Sequence, residues 1–243
     1  MEILLCIDDT DNLESPGTGH LAEDIRHNIE ELYGAKTRRI TRHQLYVCDD
    51  IPYTSHNSAM CFRADIGPDT LDDIIRYSQE MLLAHSAPGS DPGLCVAVAD
   101  RIAHREELIG FGLDATKKVL CKDDAISLAG RTGVHLSEHG GTGGGIIGAL
   151  AGVGLRLYGN NGRFKGWLKV DESQRRMCAD ALCRAFDIQQ VRTEDGGMVS
   201  GDSLISLQDK VKTVLIDSMS VLLVVQQPDG SWVNAGRDVV RRY

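Results

Sequence analysis

The chain has seven cysteines but no Cys-x-x-Cys pair, and the count is odd. That pattern excludes a zinc ribbon and a complete disulfide framework. Cys6, Cys48, Cys61, Cys95, Cys121, Cys178 and Cys183 are scattered, several within apolar runs. They read as small core residues of a protein in a reducing cytosol. Basic charge is also short: 26 Lys and Arg stand against 35 Asp and Glu, a formal net charge of -9. A negative chain is poorly suited to extended contact with a nucleic-acid backbone, which clustered Lys and Arg drive. Two local basic groups exist, Arg38, Arg39, Arg42 and His43, and Arg237, Arg241 and Arg242. Solvated surface is the commoner role for each. No apolar run reaches the roughly 20 residues of a membrane span. The chain opens on an apolar strand containing Glu2, with no basic region or signal core. The expectation is a soluble, cytoplasmic protein. Internal repeats and low-complexity tracts are absent as well.

What is present suffices for a sizeable fold. At 243 residues and 42% hydrophobic content the chain can bury one large core or two modest ones. Residues 2–7 read as a strand and His20 to Tyr33 as an amphipathic helix stopped by Gly34. Arg38 to Val47 reads as extended, Ala59 to Ile66 as a strand, and Pro68 opens a helix ending near Ala84. Leu94 to Val98 forms a short strand, and helices are expected over Asp100 to Ile109 and Asp114 to Cys121. Gly159-Asn160-Asn161-Gly162 marks a boundary. After it come a strand over Phe164 to Val170 and a helix over Asp171 to Phe186. A hairpin then joins Val221 to Val225 with Ser231-Trp232-Val233. The fold class expected is α/β (α+β): a sheet-and-helix nucleotide domain over residues 1–158, then a smaller α+β domain over 159–243.

Two stretches carry chemistry. Ile3-Leu4-Leu5-Cys6-Ile7 runs into Asp8-Asp9-Thr10-Asp11-Asn12, three carboxylates in four positions after a buried strand. In open α/β sheets that is where ligands bind. Carboxylates so close repel each other without a cation, and hard oxygen donors suit Mg²⁺. An Asp-rich turn that satisfies its own backbone is the bland alternative. The second stretch is Gly140-Gly141-Thr142-Gly143-Gly144-Gly145, followed by Ile146-Ile147-Gly148-Ala149-Leu150. Glycines ahead of a helix N-terminus make a ready phosphate seat. No Gly-Lys-Ser/Thr occurs, and polar Ser137-Glu138-His139 precedes the run with no clear strand, so neither a Walker loop nor a Rossmann fingerprint is read. A flexible hinge is the competing interpretation. A carboxylate cluster and a phosphate loop together suit nucleotide chemistry.

With Ile7-Asp8-Asp9-Thr10-Asp11, the residues Thr18, Arg39 and Arg42, Ile51-Pro52-Tyr53, Asn57, His85, Asp91-Pro92-Gly93 and Gly145 to Leu150 fall in a familiar order. Over residues 2–157 the chain resembles the N-terminal kinase-like domain of the archaeal agmatinylcytidine synthetases, which act on an isoleucine tRNA. The resemblance implies ATP-dependent phosphorylation of an acceptor oxygen, later displaced by an amine. It departs in reading Gly17-Thr18-Gly19-His20 where the family has Cys-Thr-Thr, and in showing no OB-fold or zinc ribbon.

Roles follow. Asp8, Asp9 and Asp11 are the expected catalytic and metal-binding carboxylates, holding Mg²⁺ against ATP phosphates. Gly141, Gly143, Gly144 and Gly145 would cradle phosphate with backbone amides. Thr18 is either a helix N-cap or a phosphate-facing hydroxyl, with the cap favoured by its position alone. Arg39 and Arg42 could clamp phosphate, but strand alternation puts them on opposite faces, so one of them, Arg42, is the expected clamp. Asn57 and His85 are either substrate contacts or loop-stabilising polar residues. The expected cofactors are ATP and Mg²⁺. The expected function is an ATP-dependent transferase or ligase on a small-molecule or nucleoside-like acceptor. A tRNA modifier aided by a partner and a non-catalytic nucleotide sensor are the alternatives.

Overall fold

A computed structural model describes residues 1–49, 51 and 57–243; the Pro52-Tyr53 pair of the motif lies outside them. The chain divides into two compact units, Met1–Tyr158 and Gly159–Tyr243. In the first, β1 (Glu2–Asp8) leads to α1 (Thr18–Tyr33), β2 (Lys36–Thr37), β3 (Thr41–Gln44), β4 (Ser58–Asp65) and α2 (Leu71–His85). Then come β5 (Gly93–Val98), α3 (Arg105–Ala115), α4 (Lys122–Thr132), β6 (His135–Glu138) and α5 (Gly145–Tyr158). The strand order is β6-β5-β1-β4-β3, with β2 also on β4. Every one of these pairings is antiparallel.

The continuous apolar run of β1 is explained by helices on both faces of the sheet. Ile3, Leu5 and Ile7 pack with Leu21, Ile25 and Ile29 of α1 and Ile74 and Leu82 of α2. Leu4 and Cys6 point the other way, into a cluster with Ala149, Leu150 and Val153 of α5. Strand alternation then sends Asp8 to the α5 side. The motif is therefore at the end of a central strand, but of an antiparallel sheet. The ligand rule for open parallel sheets does not apply here.

The second unit contains β7 (Arg163–Phe164), β8 (Arg176–Cys178), α6 (Ala179–Phe186), β9 (Gln190–Thr193) and β10 (Leu204–Ser206). It continues with β11 (Val214–Ile216), β12 (Met219–Gln226), β13 (Trp232–Asn234) and α7 (Arg237–Val240). Its strands run β7-β11-β12-β13-β10-β8, with β9 parallel to β12. Leu182 and Ile188 pack on Ile205, Leu222 and Val224 as its core. The β12–β13 hairpin is antiparallel, as expected for Val221 to Val225 and Ser231-Trp232-Val233.

Five local expectations are corrected, the first being the strand over Phe164 to Val170, of which only Phe164 lies in a strand, β7. The helix placed at Asp100 begins only at Arg105, after a short turn over Ala99–Arg101 and a left-handed His104. The helix expected at Asp114 to Cys121 is instead α4, which starts after Cys121 in extended conformation. A strand, β6, does precede the glycine run. It pairs antiparallel with β5, so no parallel βαβ unit arises there. The long helix at Asp171 is a capped three-residue turn, Glu172–Gln174, followed by β8, because Arg176 to Cys178 pair with β10.

Helix α5 enters the core through its small residues. A Cβ on Gly112 of α3 would lie 2.8 Å from the Ala151 carbonyl oxygen, and one on Gly154 would overlap the Leu108 carbonyl. Such backbone contact cannot relax by side-chain movement. Gly154→Val is expected to destabilise the protein by about 3 kcal/mol or more, at the upper end of overpacking costs. Urea denaturation measures this, and an unchanged midpoint would contradict the close packing of α3 on α5.

Candidate functional site

One cavity of about 240 Å³ gathers most of the residues singled out from the sequence. Asp8, Asp9 and Asp11 line it from the end of β1, and Thr18 from the start of α1. Asn57 and Ser58 come from the start of β4, Asp91 from the approach to β5, and Thr142, Gly144, Gly145 and Gly148 from α5 and its loop. The remaining lining is mostly apolar, Leu45, Ile51, Ala115, Val119, Leu120 and Ile147, with Lys118 beside them, its Nζ 2.9 Å from Asp114. The site thus combines four carboxylates with an apolar lining and one lysine.

The turn after β1 is stabilised by Asn12 and Ser15 and also by Asp8, whose carboxylate accepts from the Asp9 amide. Asn12 Oδ1 accepts from the Glu14 and Ser15 amides at 3.0 Å each, and the Asn12 amide donates to Ser15 Oγ at 2.8 Å. Asp9 adopts a left-handed conformation, φ 52°, which aspartate tolerates better than most residues. Thr18 is not the N-cap: Gly17 occupies that position. Its hydroxyl instead donates to Asp11 Oδ1 at 2.9 Å and accepts from the Thr10 amide at 3.3 Å.

Asp8 is buried and faces α5 so closely that a Cβ on Gly148 would overlap its Oδ2. Burial, then the neighbouring charges of Asp9 and Asp11, push its carboxyl up to about 8. Asp9 rises to about 6, through burial and then the charges of Asp91 and Asp11. Among the described residues no three His, Cys, Asp or Glu groups converge tightly enough to hold a cation alone. The donor set fits an Mg²⁺ that keeps phosphate and water ligands and takes only one or two carboxylates.

The glycine loop is not an open cradle. Gly141 and Gly143 have positive φ, 55° and 76°, and do not line the cavity. The Gly143 amide donates to the Gly140 carbonyl at 3.1 Å, and the Gly145 amide to the Asp91 carbonyl at 3.0 Å. The Thr142 amide donates to Asp91 Oδ1 at 2.8 Å, and its hydroxyl to Oδ2. Asp91, met in the sequence only as part of a motif, is therefore central to the loop. Only its side chain's neighbours reveal this, because they lie some fifty positions away.

Arg42 lies behind the wall rather than on it. Its Nε donates to Ser58 Oγ at 2.9 Å, and its Nη2 is buried with no hydrogen-bond partner among the described residues. Burial lowers its pKa, opposed by the Asp11 charge. Asn57 lines the cavity, yet its side-chain nitrogen donates to the Tyr46 carbonyl at 2.7 Å, which fixes the end of β3. His85 is not brought to the site; it is exposed at the C-terminal end of α2. Within the two basic groups, Arg38 pairs with Asp65 and Arg242 with Glu194. Among the described residues, no helix is long and apolar enough to cross a membrane.

No protein-family model and no curated protein matches the chain. Solved structures do. A tRNA fluorescent labeling enzyme aligns at 27% identity and a TM-score of 0.55, over 63% of this chain and 36% of its own. A complex of TiaS with an isoleucine tRNA and ATP aligns at 26% identity and 0.56, with the same coverage. A complex of TiaS with an isoleucine tRNA, AMPCPP and agmatine aligns at 25% and 0.54. TiaS is a tRNA agmatidine synthetase. The resemblance read from the motifs is thus borne out at the level of a domain, and the chain spans about a third of the length of these neighbours.

The raised carboxyls set a pH dependence. Asp8 ionises near 8 in the fold but near 4 in the unfolded chain, so the folded state binds the extra proton between those values. Stability of the ligand-free protein therefore falls as pH rises through that window. His135 and His139, held below their usual value by burial, have the opposite effect, which is complete by about pH 7. Calorimetry from about pH 7 to 8.5 should show a falling thermal midpoint. Asp8→Asn should flatten that slope and raise the midpoint. A lower midpoint in the variant throughout would refute the burden placed on Asp8.

Proposed function

We propose that residues 1–158 form the catalytic unit of an ATP-dependent transferase or ligase that activates a nucleoside-like acceptor by phosphoryl transfer. The observation carrying this reading is the Asp11–Thr18 hydrogen bond in a cavity lined by four carboxylates together with a set of apolar side chains. Its likeness, at 26% identity, to a protein solved with ATP supports the choice of nucleotide.

Asp8 and Asp9 would hold Mg²⁺ arriving with the phosphates. That ion, when bound, supplies neutralisation of the charge on the transferred group. Asp11 keeps the Thr18 hydroxyl oriented toward the phosphoryl position. Arg42, just behind, offsets the negative charge of Asp11. Leu45, Ile51, Val119, Leu120 and Ile147 offer a slot for the flat face of a base and exclude water from it. Loss of Asp8 or Asp11 charge, by Asp8→Asn or Asp11→Asn, should weaken Mg·ATP binding about tenfold or more without loss of folding. Calorimetric titration is the measurement, and unchanged affinity in both variants would sink the reading.

An RNA acceptor is favoured by one feature of the second unit. Leu168 and Val170 pack into its core, which turns Trp167 and Lys169 outward. The Leu168 amide donates to the Val211 carbonyl at 2.9 Å, so Lys210 and Lys212 flank the same place. Lys212 Nζ sits 4.7 Å above the Trp167 ring, and the indole is 46% exposed. A lysine-flanked exposed aromatic suits a stacked base and its phosphates. The -9 charge does not argue against it. Residues 159–243 carry 12 basic and 11 acidic residues, so the excess negative charge lies in residues 1–158, with 14 and 24. Incubation with Mg·ATP and either nucleosides or total tRNA, followed by mass spectrometry of ADP, AMP and the modified product, separates the two acceptors. Product from free nucleosides alone supports the small-acceptor form; turnover that requires tRNA replaces it with the RNA form.

A further inference from the structure

The glycine loop already binds an anion, and the anion is Asp91. Its Oδ1 accepts the Thr142 amide at 2.8 Å, its Oδ2 accepts the Thr142 hydroxyl, and the Gly144 amide also donates to this carboxylate. A Cβ on Gly141 would overlap Oδ1, so the loop closes around the carboxylate with no space to spare. These are the donors a phosphate would need, since the Gly143 and Gly145 amides are engaged by carbonyls.

The loop has a second support that does not depend on Asp91. Lys122 Nζ pairs with Glu138 and donates to the Thr142 carbonyl at 3.0 Å, clamping the loop from its outer side. The Asp91 backbone is held as well, through its carbonyl and through the Pro92 carbonyl, which accepts from His139 at 2.9 Å. With its backbone held, the Asp91 side chain can rotate away and release the donors without dismantling the loop.

We propose that Asp91 is a resident anion of the phosphate loop, holding Thr142 and Gly144 in their binding arrangement while the cavity is empty and ceding them to an incoming phosphate. This rests on the reading above that nucleotide phosphates enter this cavity. A plain structural brace would make the same contacts but predicts the opposite sign. Removing a brace weakens phosphate binding. Neutralising a resident competitor strengthens it, because the phosphate then displaces a weaker partner.

The test uses the full chain, free of metal, titrated with inorganic tripolyphosphate at about 150 mM salt, where long-range fields are largely screened. Hydrogen exchange over residues 140–145 is followed in parallel. Asp91→Asn keeps the size of the side chain and one acceptor oxygen. It should bind tripolyphosphate about fivefold or more tightly than the wild type. Its Thr142 and Gly144 amides should exchange faster when empty and regain protection with the anion. Asp9→Asn removes a neighbouring charge while keeping an oxygen that accepts the Asp91 amide, and its gain should be about twofold at most. Asp91→Ser serves if the asparagine variant folds poorly. Weaker or unchanged binding in the Asp91 variants, a gain matched by Asp9→Asn, or no tripolyphosphate binding by any form overturns the proposal. Tighter tripolyphosphate binding in Asp91→Asn without any affinity for ATP upholds the proposal and sinks the nucleotide reading instead.

Discussion

Much of the first unit depends on one constraint: a carboxylate must be buried where β1 meets α5. The strand's odd residues serve one layer of helices and its even residues the other, so Asp8 inherits the α5 side from Leu4 and Cys6. There is room for it only because α5 has glycine at position 148. Burial and repulsion from Asp9 and Asp11 then keep its proton bound to about pH 8. In the empty state the site therefore stores an unfavourable arrangement, which a cation would relieve. Perturbation of this kind, in a cleft and with named causes, is a mark of function rather than of packing.

The same helix explains why the surrounding loop looks as it does. For α5 to approach β1 and β5, its first turn must lie against backbone, and Gly93 and Gly145 have no space for side chains. That approach delivers the loop before α5 to Asp91. Much of what reads as a flexible hinge in the sequence is thus dictated by contact. Gly141 and Gly143 also hold left-handed conformations that branched residues avoid. The loop is shaped by packing first and is available for chemistry as a consequence.

How far the sequence could be read follows from the range of the interactions. β1, α1, α2, β5 and the closing hairpin were legible because periodicity and turn residues are local signals. The acidic wall was legible too, since Asp8, Asp9 and Asp11 are adjacent. The helices around 100–132 were misplaced because their starts depend on His104 and Cys121, neither of which is a usual cap. The loss of helix at 171–178 required knowledge of β10, about thirty residues later. Thr18 looked like a cap because its partner, Asp11, was seven positions back across a turn. His85 sat in a suggestive motif, and nothing local indicated that α2 leaves it in solvent.

Net charge is a coarse guide for a related reason. A chain-wide sum of -9 averages an acidic first unit with a second unit in near balance, and it is blind to where lysines meet. Lys169 and Lys212 are forty-three positions apart, yet both flank Trp167 because β7 and its extension run beside the segment before β11. Screening at physiological salt limits each charge to about 8 Å. An anionic ligand at Trp167 would therefore sense the lysines around the ring far more than carboxylates beyond that distance. The distribution of charge, not its total, is what a polyanion reads, and on that measure this chain is acidic in one unit and near neutral in the other.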